Sequence, residues 1–343
     1  MKKLLNVLYI TSPEAYLSLE GETIVIKKEE NISMRIPLLN LENIVCFNYM
    51  GISPALMGAC ADRGIGVCFL SPHGHFLGRI SGKVHGNVLL RKKQYFTSEN
   101  QTEAVAIASS FLIGKIVNSR KVIDRFVRDH SLLVDTESIN KASYELKEIL
   151  KEIKNCSSIS DLMGFEGSAA KIYFKNFDQF ILQQKEDFYF TERSRRPPLD
   201  NLNALLSFLY TLLTFEISSA LETVGLDPYV GFLHQDRPGR PSLALDLMEE
   251  LRPVFVDRLA LSLINRKQIT GKGFMAKENG GVIMDDDTRK IVLTAWQDRK
   301  KEEIIHPFIK ERVVFGLIPY IQALLLARFL RGDLDAYPPF FWS

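Results

Sequence analysis

The sequence predicts an α+β protein: a small N-terminal β-rich domain with one helix over residues 1–85, a linker over 86–100, and a larger all-α domain over 101–343. Three observations predict it. Up to about residue 80, short apolar runs alternate with turn residues. From about Val84 onward, apolar residues recur at three- and four-residue spacing instead. A single capped helix interrupts the strands, with Ser53 as N-cap, Pro54 at the first helical position and Gly64 as the stop.

In order along the chain, residues 4–10 form a short strand, and 15–19 with 23–26 form a hairpin around Gly21. Residues 33–36 and 43–47 continue the strands, 55–63 form the helix, and 66–70 and 75–80 return to strand. Beyond a basic, polar hinge between Gly82 and Asn100, helical periodicity covers 103–130, 141–154, 161–183, 204–224, 243–265 and 313–330. Gly280 and Gly281 mark a turn ahead of one more helix, for which Asp285, Asp286 and Asp287 form an acidic N-terminus.

Hydrophobic residues make up 46% and charged residues 24%, the balance of an ordinary globular protein. A net charge of +2 argues neither for nor against nucleic acid, so local clusters carry the information. These are Arg91-Lys92-Lys93, Arg193 with Arg195 and Arg196, Arg237 with Arg240, and Arg266-Lys267. Cys46, Cys60, Cys68 and Cys156 form no CxxC pair and no zinc spacing, so they read as free structural thiols in a reducing cytoplasm. MKKLLNVLYI is followed by Glu14 and Glu20 with no cleavage site. The apolar run 313–327 contains Pro319 and Gln322 and is shorter than a membrane span. The expectation is a cytoplasmic protein with no membrane contact.

Chemistry concentrates in three segments. In GFLHQDRPGRPSLALDLMEELRP (231–253), Ser242 reads as a helix cap. At about 100° per residue, Ser242, Asp246, Glu249, Glu250, Pro253 and Asp257 share one face of an otherwise apolar helix. Such a helix is buried around most of its circumference, so the acids should line a crevice settled by basic partners or a metal. His234 alone is a loop histidine, and the acids alone are a salt-bridged face. Together, two carboxylates and an imidazole make a ligand set for a divalent ion such as Mg²⁺ or Mn²⁺, with open positions for phosphate oxygens. Arg237 and Arg240 beside it would neutralise phosphate charge.

In SDLMGFEGSAAKIYF (160–174), Gly164 and Gly167 flank Glu166. Two glycines inside a helix cost about 1 kcal/mol each against alanine, which close helix packing or a ligand's approach would justify. Taken alone, a tight helix crossing is the simpler reading. In RSRRPPLDNLNALLSFLYTLL (193–213), Asp200 caps a helix on which Asn203 and Tyr210 share a face. By itself this is a basic loop and a core helix. His73 and His75 have metal-like spacing but no acid or cysteine beside them. There is no Walker loop, no dinucleotide glycine fingerprint, no GxSxG and no catalytic Cys–His signature.

GFEGSAAKIYF, RRPPLDNLNALLSFLY and GLDPYVGFLHQDRPGRPSLALDLMEELRP, in that order, resemble the CRISPR-associated adaptation integrases, the "Cas-one" endonuclease family. KIVNSRKVIDR (115–125) and QALLLARFLRGDLDAYPPF extend the resemblance to nearly the whole chain. Length and the C-terminal segment look most like subtype I-C members. The resemblance implies a metal-dependent DNA endonuclease and integrase of spacer acquisition, which joins the 3′-hydroxyl ends of captured DNA to the CRISPR repeat by transesterification. By position it implies Glu166, His234 and Glu249 as catalytic metal ligands for Mg²⁺ or Mn²⁺. Asp246 then stands behind them or serves as an alternate ligand. Many members carry aspartate where this chain has Glu249. Asn203 and Tyr210 are candidate supports, and Arg195, Arg196, Arg237 and Arg240 are candidate DNA contacts. The resemblance further implies an N-terminal domain for dimerisation and partner binding, a homodimer, double-stranded DNA, and a small ferredoxin-like partner. Two other readings stand beside it, an idle DNA-binding scaffold and a metal-dependent phosphoesterase on other substrates. Intact ligands argue against the scaffold, and steep salt dependence would separate the phosphoesterase.

Overall fold

A computed structural model describes residues 6–28, 31–71, 76–80, 82 and 88–342. The chain divides into two units, 1–85 and 86–343. His73 and His75 lie outside the described residues.

In the first unit, Val7–Ile10 (β1), Ala15–Glu20 (β2), Thr23–Lys28 (β3), Asn31–Pro37 (β4) and Asn43–Cys46 (β5) precede the helix Pro54–Arg63 (α1); Gly66–Leu70 (β6) and Phe76–Ile80 (β7) follow. β2, β3 and β4 form an antiparallel meander. Gly21 turns its first hairpin at φ +59°, a left-handed conformation costly for a residue with a Cβ. The second sheet runs β1-β5-β6-β7, parallel except for the last pair. Alternate residues such as Ala15 and Leu17 point inward, onto a core with Ile24, Ile44, Leu56 and Val67. Ser53 caps α1 by accepting from Leu56 N at 3.2 Å, and Gly64 ends it at φ +66°. A short 3₁₀ turn, Leu38–Asn40, is an addition to the expected elements.

The second unit contains Val88–Glu99 (α2), Gln101–His130 (α3), Thr136–Ile153 (α4), Ile159–Lys175 (α5), Asn201–Thr223 (α6), Ser242–Glu249 (α7), Arg258–Asn265 (α8), Asp286–Lys301 (α9) and Ile318–Leu330 (α10). α3 is its spine, packed against α4, α5 and α7, while α6 packs on α7 and α10. By length and composition alone α6 could cross a membrane, but Leu202, Leu205, Leu206, Leu209 and Leu213 are buried in this core. Asp200 caps α6 through Asn203 N at 2.7 Å, and Asp285 caps α9 through Thr288 N at 2.7 Å.

Five expectations are corrected. The segment expected as a linker holds α2, because Leu90, Gln94 and Thr97 form a buried face that its polar composition conceals. The second unit is not all-α. Phe274–Ala276 (β8) pairs with Val282–Met284 (β9) through a turn at Gly280, φ +77°, and Glu303–Ile305 (β10) pairs with Arg312–Val314 (β11). The helix expected over 313–330 therefore begins only at Ile318, where Pro319 suits the first turn. The helix expected over 243–265 is broken. α7 stops at Glu249, and Pro253–Asp257 forms a π-helical turn before α8. Pro253 has no N–H to donate, and its ring crowds the carbonyl one turn back. Ser242 is the first residue of α7 rather than its cap; Pro241 takes that position, and Ser242 Oγ donates to Gln235 O at 3.1 Å.

Candidate functional site

Glu166 stands midway along α5, whose start is fixed by Ser158 accepting from Asp161 N at 3.1 Å. A Cβ at Gly164 or Gly167 would meet nothing within 4 Å, so a tight helix crossing does not account for these glycines. Glu249 occupies the last turn of α7, and His234 comes from the loop before it. α3 brings Lys115 to both carboxylates. Its Nζ contacts Glu166 Oε1 and lies 2.8 Å from Glu249 Oε2. Arg252 Nη1 is 3.0 Å from Glu249 Oε1, and His234 Nε2 is 3.9 Å from the same oxygen. Glu166 and Glu249, far apart in sequence, thus meet around one ammonium group, with His234 beside Glu249.

The electrostatics favour an ionised Glu249. Burial pushes its carboxyl up, but Arg252, Lys115 and His234 together outweigh burial and hold it well below the usual carboxylate range. Its Oε2 is nevertheless buried without a well-formed hydrogen bond, despite the nearby Lys115. A buried anionic oxygen left in that state suits a cation, and with Glu166 and the His234 Nε2 the donor set fits a divalent ion. As the side chains lie, no three His, Cys, Asp or Glu donors converge among the described residues, and the Lys115 ammonium stands between the two glutamates.

Asp246 fixes the histidine. Its carboxylate accepts backbone N–H groups from Phe232 (2.6 Å), Leu233 (3.0 Å) and His234 (2.9 Å), and His234 Nδ1 lies 2.7 Å away. Gly231 is required beneath this cradle, since a Cβ there would fall 2.8 Å from both Asp246 Oδ2 and Ser242 Cβ.

The acidic stripe does not line one crevice. Glu249 faces the site, whereas Glu250 points to the C-terminal segment. There it accepts from Tyr337 Oη, Phe340 N and Gln322 Nε2 (3.1 Å), and burial pushes its carboxyl up to about 8. Asp257 accepts from Tyr210 Oη at 2.5 Å. The break after α7 turns Glu250 and Asp257 away from the site, and each of the four acids has its own neighbours.

Asn203 and Tyr210 do not touch the expected ligands; they hold the arginines beside them. Asn203 Oδ1 accepts from Arg193 Nη1 at 2.7 Å, and the guanidinium groups of Arg193 and Arg252 lie 5.4 and 5.1 Å from the Tyr210 ring centre. Lys115, Arg193, Arg195, Arg252, Tyr173 and Tyr210 line a cavity next to the carboxylates. Arg195, Arg196 and Arg237 are exposed and Arg240 is half-buried, and none of the four is in an ion pair among the described residues. The Arg240 guanidinium is held below its ordinary range by burial first, then by Arg237, Arg195 and Arg196, which brings the two basic loops into one field. Sequence reasoning missed Lys115 and Arg252. Their signals were slight: Lys115 opens KIVNSRKVIDR, and Arg252 follows Glu249 by three residues.

With this geometry in place, comparisons give a consistent result. A family model described as CRISPR associated protein Cas1 matches residues 8–298. The chain is 50% identical over 342 residues to a CRISPR-associated endonuclease Cas1 of Chlorobaculum tepidum, covering 100% of both. Among solved structures, a casposase bound to integration product superposes with a TM-score of 0.85 at 21% identity, covering 99% of this chain and 95% of that one. A Cas6-RT-Cas1–Cas2 complex gives 0.81 at 23% identity, covering 98% of this chain and 36% of that one. At these identities the structural likeness establishes the fold.

Proposed function

The chain belongs to the CRISPR-associated Cas1 family and is an endonuclease of that family, and from this premise we propose that Glu166, His234 and Glu249 hold the metal ion of a spacer integrase. The observation that supports the reading is Glu166 and Glu249 sharing Lys115, with His234 beside Glu249, next to a cavity walled by Lys115, Arg193, Arg195 and Arg252. A bound Mg²⁺ or Mn²⁺ would supply Lewis-acid stabilisation of charge at the scissile phosphate.

This chain's residues do the rest. Asp246 orients His234, and Arg252 holds Glu249 in place. Arg195, Arg196, Arg237 and Arg240 take DNA phosphates, which makes affinity fall steeply with salt. The 3′-hydroxyl of captured duplex DNA attacks a phosphodiester at the repeat end. One P–O bond forms as another breaks: the repeat keeps the phosphate, now joined to the captured strand, and the 3′-oxygen of the DNA flanking the repeat leaves with a proton. With water as the nucleophile, the same site cuts DNA. The open space over Gly164 and Gly167 gives a backbone room to approach Glu166.

The wider assignment is an N-terminal unit for dimerisation and partner binding, a homodimer joined by a small ferredoxin-like subunit, a cytoplasmic setting and subtype I-C. A Cas1–Cas2 assembly among the structural relatives supports the partner. The test is strand transfer of labelled duplex DNA into supercoiled plasmid, with Mn²⁺, Mg²⁺ or chelator. Joining that requires metal and vanishes in Glu166→Ala is the expected result. DNA binding without cutting or joining, even with the small subunit added, would favour the scaffold.

A further inference from the structure

α3 lies hard against the end of α7: a Cβ at Gly114 would come 2.8 Å from Glu250 Cβ and 3.1 Å from Pro339 Cβ. That closeness carries the next residue, Lys115, into the carboxylate pair with its side chain only 10% exposed. Its ammonium touches Glu166 and stands 2.8 Å from Glu249 Oε2, the oxygen that lacks a well-formed hydrogen bond. Lysine is a compact charge on a flexible stem, able to exchange partners where arginine's planar fork is committed to a geometry. The cavity beside it gives the stem somewhere to move.

We propose that Lys115 is the resident cation of the metal-free site: it neutralises Glu166 and Glu249 in their folded positions, competes with the divalent ion for them, and yields to that ion by swinging into the adjoining cavity. This rests on the reading that Glu166, His234 and Glu249 hold a metal. Lys115 is then a positioning residue. Without it, two carboxylates face each other in a largely buried setting with Arg252 as the remaining cation on Glu249. Once Lys115 has moved, its charge is released from the carboxylates and joins those of Arg193, Arg195 and Arg252 facing a phosphate oxygen in the cavity.

The distinguishing measurement is Mn²⁺ binding to the full-length, DNA-free protein by titration calorimetry, paired with melting in chelator. Lys115→Met is expected to bind Mn²⁺ at least tenfold more tightly than the unsubstituted protein. It should melt at lower temperature in chelator, with Mn²⁺ closing the gap. Lys115→Arg, which keeps the charge, should restore the metal-free melting temperature and the weaker binding. If Lys115→Met does not fold, Lys115→Gln takes its place. Unchanged or weaker Mn²⁺ binding in the neutral variant, while Glu166→Ala abolishes binding, would overturn the resident cation and leave the metal site standing. Equal Mn²⁺ binding by Glu166→Ala and the unsubstituted protein would overturn the metal site and the proposal together.

Discussion

His234 Nδ1 lies 2.7 Å from Asp246 Oδ1, and the same carboxylate accepts the backbone N–H groups of Phe232, Leu233 and His234. The carboxylate is an acceptor for all of these groups, so the Nδ1–H turned toward it donates, and the ring is held with Nε2 on the Glu249 side. Asp246→Asn introduces an amide donor among groups that are all donors. Metal affinity is expected to fall roughly 10–100-fold, the usual effect of losing a histidine's orienting partner. Calorimetric titration with Mn²⁺ checks this, and an unaltered affinity would remove Asp246 from the site.

The two glutamates differ in what their loss leaves behind. The Glu166 side chain is 28% exposed, so Glu166→Ala is expected to change stability by no more than about 1 kcal/mol while abolishing strand transfer. Glu249 is 1% exposed and faces both Lys115 and Arg252, so Glu249→Ala strips Arg252 of its carboxylate, leaves Lys115 with Glu166 alone, and should cost ~3–5 kcal/mol. Urea denaturation separates the two cases. Global unfolding of Glu166→Ala would count against a catalytic role for that residue.

What was legible in the sequence is what local chemistry encodes. Ser53-Pro54 and Gly64 bracket α1, and Asp200 and Asp285 cap α6 and α9, because a cap needs only its own next few residues. The hairpins β8–β9 and β10–β11 have strands of three residues each, too short for alternation to register. The stripe from Ser242 to Asp257 assumed a continuous helix. The turn at Pro253 breaks that assumption and sends Glu250 and Asp257 to partners in other elements. Glu166, His234 and Glu249 were singled out by motif order, and the structure joins Glu166 and Glu249 through Lys115 with His234 beside Glu249. Lys115 and Arg252 act across elements, and spacing along the chain carries no record of such contacts.

The cysteines provide a test of the first unit. Burial pushes the Cys46 and Cys68 thiols up to about 12 and Cys60 to about 11. The thiolate is the nucleophile, so all three should resist alkylation at pH 8. Cys156 is only half-buried. Brief iodoacetamide treatment of native protein is expected to label Cys156 alone, and all four after denaturation, as read by mass spectrometry. Rapid native labelling of Cys46 or Cys68 would contradict the packing of β5 and β6.

Asp257 links stability to pH in a definite direction. Burial pushes its carboxyl up to about 6, and Tyr210, Arg252 and Arg193 offset only part of that. A raised acid binds its proton more tightly when folded, so its contribution is full below the unfolded value of 3.8 and is lost as pH rises through about 6. The loss amounts to ~3 kcal/mol at most, at 1.36 kcal/mol per pKa unit. Asp257→Asn keeps a neutral group against Tyr210 Oη and has no proton to release. Unfolding free energies measured for both proteins from pH 4 to 7 should therefore diverge, the unsubstituted protein losing stability relative to the variant as pH rises. Parallel curves would mean that Asp257 ionises as readily in the folded chain as in the unfolded one, and that its burial against Tyr210 is not what sets its charge.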